Sequence, residues 1–145
     1  MAKSSKIRLV PMLLSISKSL RALMGFKLAE IGIRPGQDEL LLALSADRTV
    51  SMSHIADKIG VRPSTATKMA NHLVAAGLVE RSKTSKDARH TLLRITPSGT
   101  EMQGRVRKVW QSVENELQEL PDINRAEKDL ERLQEILATR LRPWR

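Results

Sequence analysis

Apolar positions recur at helical spacing through most of the chain. Leu9, Leu13, Ile16, Leu20, Leu23 and Ile31 share one stripe, with Lys18, Arg21 and Lys27 off it. This predicts a helix of about 25 residues, Ile7 to Ile31, with Pro11 near its start and Gly32 and Arg34-Pro35-Gly36 breaking it. A short helix from Pro35 to about Ala46 follows, with Asp38 and Glu39 at its positive end. Leu40, Leu41, Leu42 and Leu44 make it apolar almost all round, which predicts burial. Ser51 then caps a helix whose face is Ile55, Ala56 and Ile59, and Gly60 stops it. Pro63 opens the next, which runs to Ala76 and ends at Gly77. Ala66, Met69, Ala70 and Leu73 point to one side of it. Ser64, Lys68, Asn71 and Ala75 point to the other, flanked by Thr65, Thr67 and His72.

The pattern then changes period. Residues 78–82 (Leu-Val-Glu-Arg-Ser) and 90–96 (His-Thr-Leu-Leu-Arg-Ile-Thr) read as strands, joined by the polar, basic stretch 83–89. Thr96-Pro97 starts a further helix carrying Val106, Val109, Trp110, Val113, Leu117 and Leu120, which stops at Pro121. A last helix, Asn124 to Leu141, aligns Leu130, Leu133, Leu137 and Leu141. A helix, a glycine-bearing turn, a second helix with a small polar and basic outer face, and a β-hairpin together read as a winged helix-turn-helix. The fold class is therefore mainly α, an α+β winged helix flanked by terminal helices.

A winged module of this kind needs roughly 60–80 residues, so about half the chain lies outside it. The surplus helices carry amphipathic stripes that need partners. Either they close one enlarged monomeric core or, the reading favoured here, they pack against a second copy. A two-fold dimer also sets two recognition helices on one face of duplex DNA.

Charge supports a polyanion partner. The 145 residues carry 25 Lys+Arg against 16 Asp+Glu, a net charge of +9. The excess is four in the first fifty residues, five in the second fifty and zero in the rest. A basic front joined to a neutral back fits a DNA-binding surface attached to something else. Three aromatic residues, Phe26, Trp110 and Trp144, are too few for the stacking platforms of single-strand or RNA binders.

Other chemistries recede. With no cysteine there is no disulfide, thiolate zinc site or thiol redox sensor. His54, His72 and His90 lie eighteen residues apart and make no metal-ligand pair. No Gly-rich phosphate loop, nucleophile elbow or paired-acid arrangement points to an enzyme, and no cofactor is implied. The longest apolar run, residues 9–14, includes Pro11 and falls far short of the ~20 residues of a membrane span, so no membrane partner is expected. Residues 1–29 are basic and without acid, a composition shared by transit peptides and by a helix belonging to the fold. The apolar stripe favours the helix and a cytoplasmic protein.

The motifs Ile55-Ala56-x-x-Ile59-Gly60-Val61, residues 64–68 (Ser-Thr-Ala-Thr-Lys), Leu73-x-x-x-Gly77-Leu78-Val79-x-Arg81, Asp87-x-Arg89 and Leu93-x-Ile95-Thr96-x-x-Gly99 follow one another in order and spacing. On these the sequence resembles the MarR family of bacterial transcription regulators over nearly its whole length. Arg62 stands where the family often has Ser, and Lys68 where Arg is frequent, leaving a point charge for a fork. The resemblance implies a homodimer on a pseudo-palindromic operator in double-stranded DNA, usually a repressor and often released by a small-molecule effector. It implies one unit over residues 1–145, with a winged lobe at 35–99 and a helical dimerisation lobe at 1–34 and 100–145.

The residues expected at DNA follow from both readings. Lys68 faces outward from the centre of the recognition helix, Ser64, Thr65 and Thr67 lie near its N-terminus among free N–H groups, and Asn71 and His72 are placed for base edges or phosphate. In the wing, Arg89 is expected at the minor groove with Asp87 orienting it, and Lys83 and Lys86 beside phosphates. Trp110 is expected to pack in the helical lobe or to form a ligand wall. The rival function is a non-sensing architectural or partner-binding winged-helix protein.

Overall fold

A computed structural model describes residues 6–82 and 91–141. Helix α1 spans Leu9–Ala29, α2 Gln37–Leu42, α3 Met52–Ile59 and α4 Pro63–Ala75. After the strands come α5, Pro97–Leu117, and α6, Ile123–Leu141. The strands are β1, Val50–Ser51, β2, Val79–Ser82, and β3, Leu92–Ile95, in one antiparallel sheet of order β1-β3-β2.

The predicted boundaries hold where a local signal sets them. Ser51 is the N-cap of α3, its hydroxyl accepting from the His54 N–H at 3.2 Å. Thr96 caps α5, accepting from the Gly99 N–H at 3.0 Å and donating to the Gly77 carbonyl at 2.7 Å. Gly60 and Gly77 end α3 and α4 with φ of 72° and 76°. There the chain must turn left-handed so that the next N–H can reach back into the helix, Val61 to Ala56 O and Leu78 to Leu73 O, both at 3.0 Å.

Three expectations change. The first helix is 21 residues rather than about 25, because Ile31, Gly32 and Ile33 fold back onto the Leu28 and Ala29 carbonyls. The second helix has six residues, not twelve. Pro35 stays outside because the Asp38 carboxylate accepts from the Gly36 N–H at 2.8 Å. Its far end stops because Gln103 Nε2, from α5, donates to the carbonyls of Leu41 and Leu44 at 2.6 and 2.8 Å. Finally, β1 carries no strand pattern of its own, and two residues exist as a strand only because β3 offers an edge, Val50 facing Leu93 and Ser51 facing Leu92.

The core gathers Leu40 and Leu41 of α2, Ile55 and Ala56 of α3, Ala66, Ala70 and Leu73 of α4, and Val79, Leu93 and Ile95 of the sheet. Leu28 of α1 and Val106 of α5 join the same cluster. The sheet register follows the period of two. Val79 and Ile95 pair on the buried face, while Glu80 faces Arg94 on the exposed one.

The terminal helices behave differently. α6 has no buried residue, and Leu28 is the only buried one in α1. Leu9, Val10, Met12, Leu14 and Ile16 of α1 are each more than half exposed, as are Leu130 and Leu137 of α6. By length and composition α1 is apolar enough to cross a membrane, contrary to the run-length expectation. Counting uninterrupted runs misses this, because serines and single cations break the run without making the helix polar.

Candidate nucleic-acid interface

Helix α4 is anchored by its small buried residues. Ala66 and Ala70 are fully buried and Leu73 nearly so, which lets α4 sit close on α2 and α3. Once that stripe is committed, helical geometry aims the opposite one outward. Ser64, Thr67, Lys68, Asn71 and His72 are exposed, and Thr65 is half-buried. The structure thus gathers all six sequence-predicted residues of this helix on one element. Lys83, Lys86, Asp87 and Arg89 lie outside the described residues.

The start of α4 differs from a capped helix. Arg62 occupies the N-cap position in an extended conformation with no side-chain cap bond, and Pro63 follows inside the first turn. The Arg62 carbonyl accepts from the N–H groups of Thr65 and Ala66 at 3.0 Å. Arg62 is itself exposed, so a cation stands at the positive end of the helix, where a phosphate would be welcome. In the sequence Arg62 stands out only as a residue where the family often has Ser. The Thr67 hydroxyl donates to the Pro63 carbonyl at 2.9 Å, so contact with a phosphate requires it to leave that bond.

The sheet adds charge beside α4. Arg81 of β2 and Arg94 of β3 are both exposed. In the sequence Arg81 is a motif position and Arg94 reads as a solvated strand residue, and neither is among the residues expected at DNA. Among the described residues no group of three or more His, Cys, Asp or Glu could hold a metal ion.

One buried carboxylate ties this module to the helical part. Asp38, 4% exposed, accepts from the Gly36 N–H through Oδ1 and from Trp110 Nε1 of α5 through Oδ2 at 2.9 Å. From the sequence, Asp38 reads only as an acid near a helix start. Trp110 is 39% exposed on α5 rather than packed in the core, and it lines a cleft of about 330 Å³ with Leu20, Met24, Glu39, Glu114 and Leu117 among its walls.

Residues 33–91 match the model of the MarR family. The transcriptional regulator AdcR of Streptococcus pneumoniae is 29% identical over 96 residues, covering 66% of this chain and 65% of that protein. The HTH-type transcriptional repressor MdtR of Bacillus subtilis is 34% identical over 68 residues, 47% of this chain and 44% of that protein. The match thus spans less than two thirds of either relative's length. The transcriptional regulator BldR from Sulfolobus solfataricus superposes with a TM-score of 0.75 at 28% identity, over 90% of this chain and 93% of that one. The S. aureus MepR–DNA complex gives 0.79 at 18% identity, over 92% and 99%. The described residues thus form a winged helix-turn-helix with long terminal helices, a fold shared with these structures, and residues 33–91 are similar to the MarR family.

Proposed function

We propose that this protein is a sequence-specific transcription regulator, most often acting as a repressor, that binds double-stranded DNA as a homodimer in the cytoplasm and is released by a small-molecule effector. The observation that carries the reading is the two-sidedness of α4. Ala66, Ala70 and Leu73 are spent on the core, and its outward face is a run of small polar groups around one cation. That composition suits a major groove, which admits a helix and offers hydrogen-bonding base edges between rows of phosphates. Ser64, Thr65 and Thr67 sit where they meet phosphate near the helix N-terminus, and Lys68, Asn71 and His72 sit further along towards the bases. The wing residues Lys83, Lys86, Asp87 and Arg89 extend the same surface, with Arg89 in the minor groove.

Homodimerisation rests on the exposed apolar faces of α1 and α6, which a second copy would cover. The lobes then divide as a winged module over residues 35–99 and dimer-forming helices over 1–34 and 100–145. Regulation of transcription, rather than catalysis, is the activity proposed. Selection of bound fragments from random genomic DNA, followed by footprinting, tests it. A regulator of this kind protects a short two-fold-symmetric site, with half-sites about one helical turn apart, at least about 10³-fold over bulk DNA. Even coating without a preferred site would establish the architectural reading in its place.

Lys68→Ala is expected to weaken operator binding by about 1–3 kcal/mol if the ammonium reaches a base. If it meets only phosphate, the loss is smaller, equal for all sequences, and accompanied by a shallower salt dependence. Titration of operator and scrambled DNA at two salt concentrations separates the cases, and unchanged affinity in both would remove Lys68 from the interface.

A further inference from the structure

A second cavity, of about 370 Å³, opens between the end of α1 and the middle of α5. It shares no residue with the cleft beside Trp110 and touches none of α2, α3, α4 or the sheet. Its position follows from helical geometry. Arg105, Lys108 and Ser112 lie three and four residues apart, so they form one stripe of α5, turned away from the stripe of Trp110, Glu114 and Leu117. Lys27 faces that stripe from α1. The cavity thus gathers three cations against one acid, Glu30.

The cations are unevenly committed. Lys27 is held across the seam, its Nζ donating to the Ser112 hydroxyl at 2.8 Å, with its side chain 27% exposed. Glu116 Oε1, which does not line the cavity, stands 3.8 Å from the same Nζ, too far for a hydrogen bond. An ammonium carries three donors, so two remain for another partner. Among the described residues neither Arg105 nor Lys108 has a hydrogen bond or an ion pair.

We propose that this cavity binds a small phosphate ester, its phosphate dianion held by Lys27, Arg105 and Lys108 and its short apolar body laid on Ile31 and Val109. A guanidinium fork matches two phosphate oxygens, and two ammonium groups add point charges from either side. Three cations around one concavity focus a positive potential that a dianion answers better than a single carboxylate. Ile31 and Val109, both half-buried, supply the apolar wall. A free ester can lay its organic part on that wall, whereas the phosphodiester backbone of duplex DNA has no apolar side to place there. A ligand so seated links α1 to α5, and by binding only the folded chain it raises the melting temperature. The site lies outside the helix-turn-helix and the sheet, so the inference does not depend on the DNA reading and requires no change in operator affinity.

The test uses the full chain at low salt and two probes that share a ring, phenyl phosphate and benzoate, read by calorimetry and thermal unfolding. Saturable binding of phenyl phosphate is expected, with benzoate at least about tenfold weaker. The double variant Arg105→Gln with Lys108→Gln should lose at least about tenfold in phenyl phosphate affinity, while its melting temperature without ligand stays that of the native protein. Arg125→Gln with Lys128→Gln removes the same charge from α6 and should bind as the native protein does. Equal binding of both probes, no saturable binding, or undiminished binding by the folded Arg105 and Lys108 variant would each overturn the proposal. An equal loss in the α6 variant would reduce the effect to net charge and overturn it as well. Saturating phenyl phosphate should leave DNA affinity unchanged, and displacement of DNA would place the phosphate on the DNA surface instead of in this cavity.

Discussion

Gly99→Ala is expected to destabilise the fold by about 3 kcal/mol or more, beyond the usual range for overpacking by one methyl group. Gly99 sits in the first turn of α5, where its own N–H is held by the Thr96 hydroxyl. A Cβ there would overlap the Leu78 carbonyl oxygen and come 2.6 Å from Ile95 Cγ1. The carbonyl cannot retreat, because it accepts from the Thr96 N–H at 3.1 Å, and Thr96 also binds the Gly77 carbonyl. Three elements meet at this corner: the end of α4, the base of the wing and the start of α5. Relief would therefore move the recognition helix or break the cap. For a chain of this size the melting temperature should fall by roughly 6–12 °C. Gly104→Ala is the control, since it lies in the same helix with nothing within 4 Å of an added Cβ, and it should be neutral or slightly stabilising. Equal melting temperatures for the Gly99 variant and the native protein would refute the clash.

The double variant Leu130→Lys with Leu137→Lys is expected to turn the proposed dimer into a monomer without unfolding the chain. Both leucines are more than half exposed in the single protomer, 57% and 54%, so the core does not depend on them. They lie seven residues apart on one face of α6. In a two-fold dimer each substitution counts twice. Burial of a leucine contributes roughly 1.5–3 kcal/mol, so four such losses, with like charges brought together, should raise the dissociation constant by about a thousandfold or more. Sedimentation at micromolar concentration reads the mass, and thermal unfolding confirms that the protomer remains folded. Operator affinity should collapse with the dimer, because a single α4 reads only a half-site. A native protein that sediments at one chain mass would end the dimer reading. A variant that remains dimeric would exclude α6 from the interface.

The parts legible in the sequence are those governed by neighbours in the chain. Ser51 and Thr96 announce helix starts because a hydroxyl reaches an N–H three residues on. Gly60 and Gly77 announce ends because only a residue without Cβ adopts their backbone at little cost. The two faces of α4 follow from Ala66, Ala70 and Leu73 falling on one stripe, and with them the candidate groove-facing set centred on Lys68. The family motifs are legible for the same reason, since they consist largely of these caps, stops and core positions.

What only the tertiary structure decided depends on groups far apart in sequence. Two residues become β1 because Leu92 and Leu93, some forty positions later, present an edge. The second helix ends after six residues because Gln103, about sixty residues away, takes the Leu41 carbonyl and that of Leu44 just past the helix end. Asp38 is the sharpest case. By local rules it is a surface acid suited to a helix dipole, yet in the fold it is buried between Gly36 and Trp110 and helps build an acidic cleft that no stretch of sequence contains. Caps, stops and amphipathic stripes are set by bonds within a few residues and by a fixed helical period, so composition and spacing reveal them. Cleft, latch and strand edge are set by which side chain happens to fill a neighbour's unmet hydrogen bond once the helices have packed, and that pairing exists only in three dimensions.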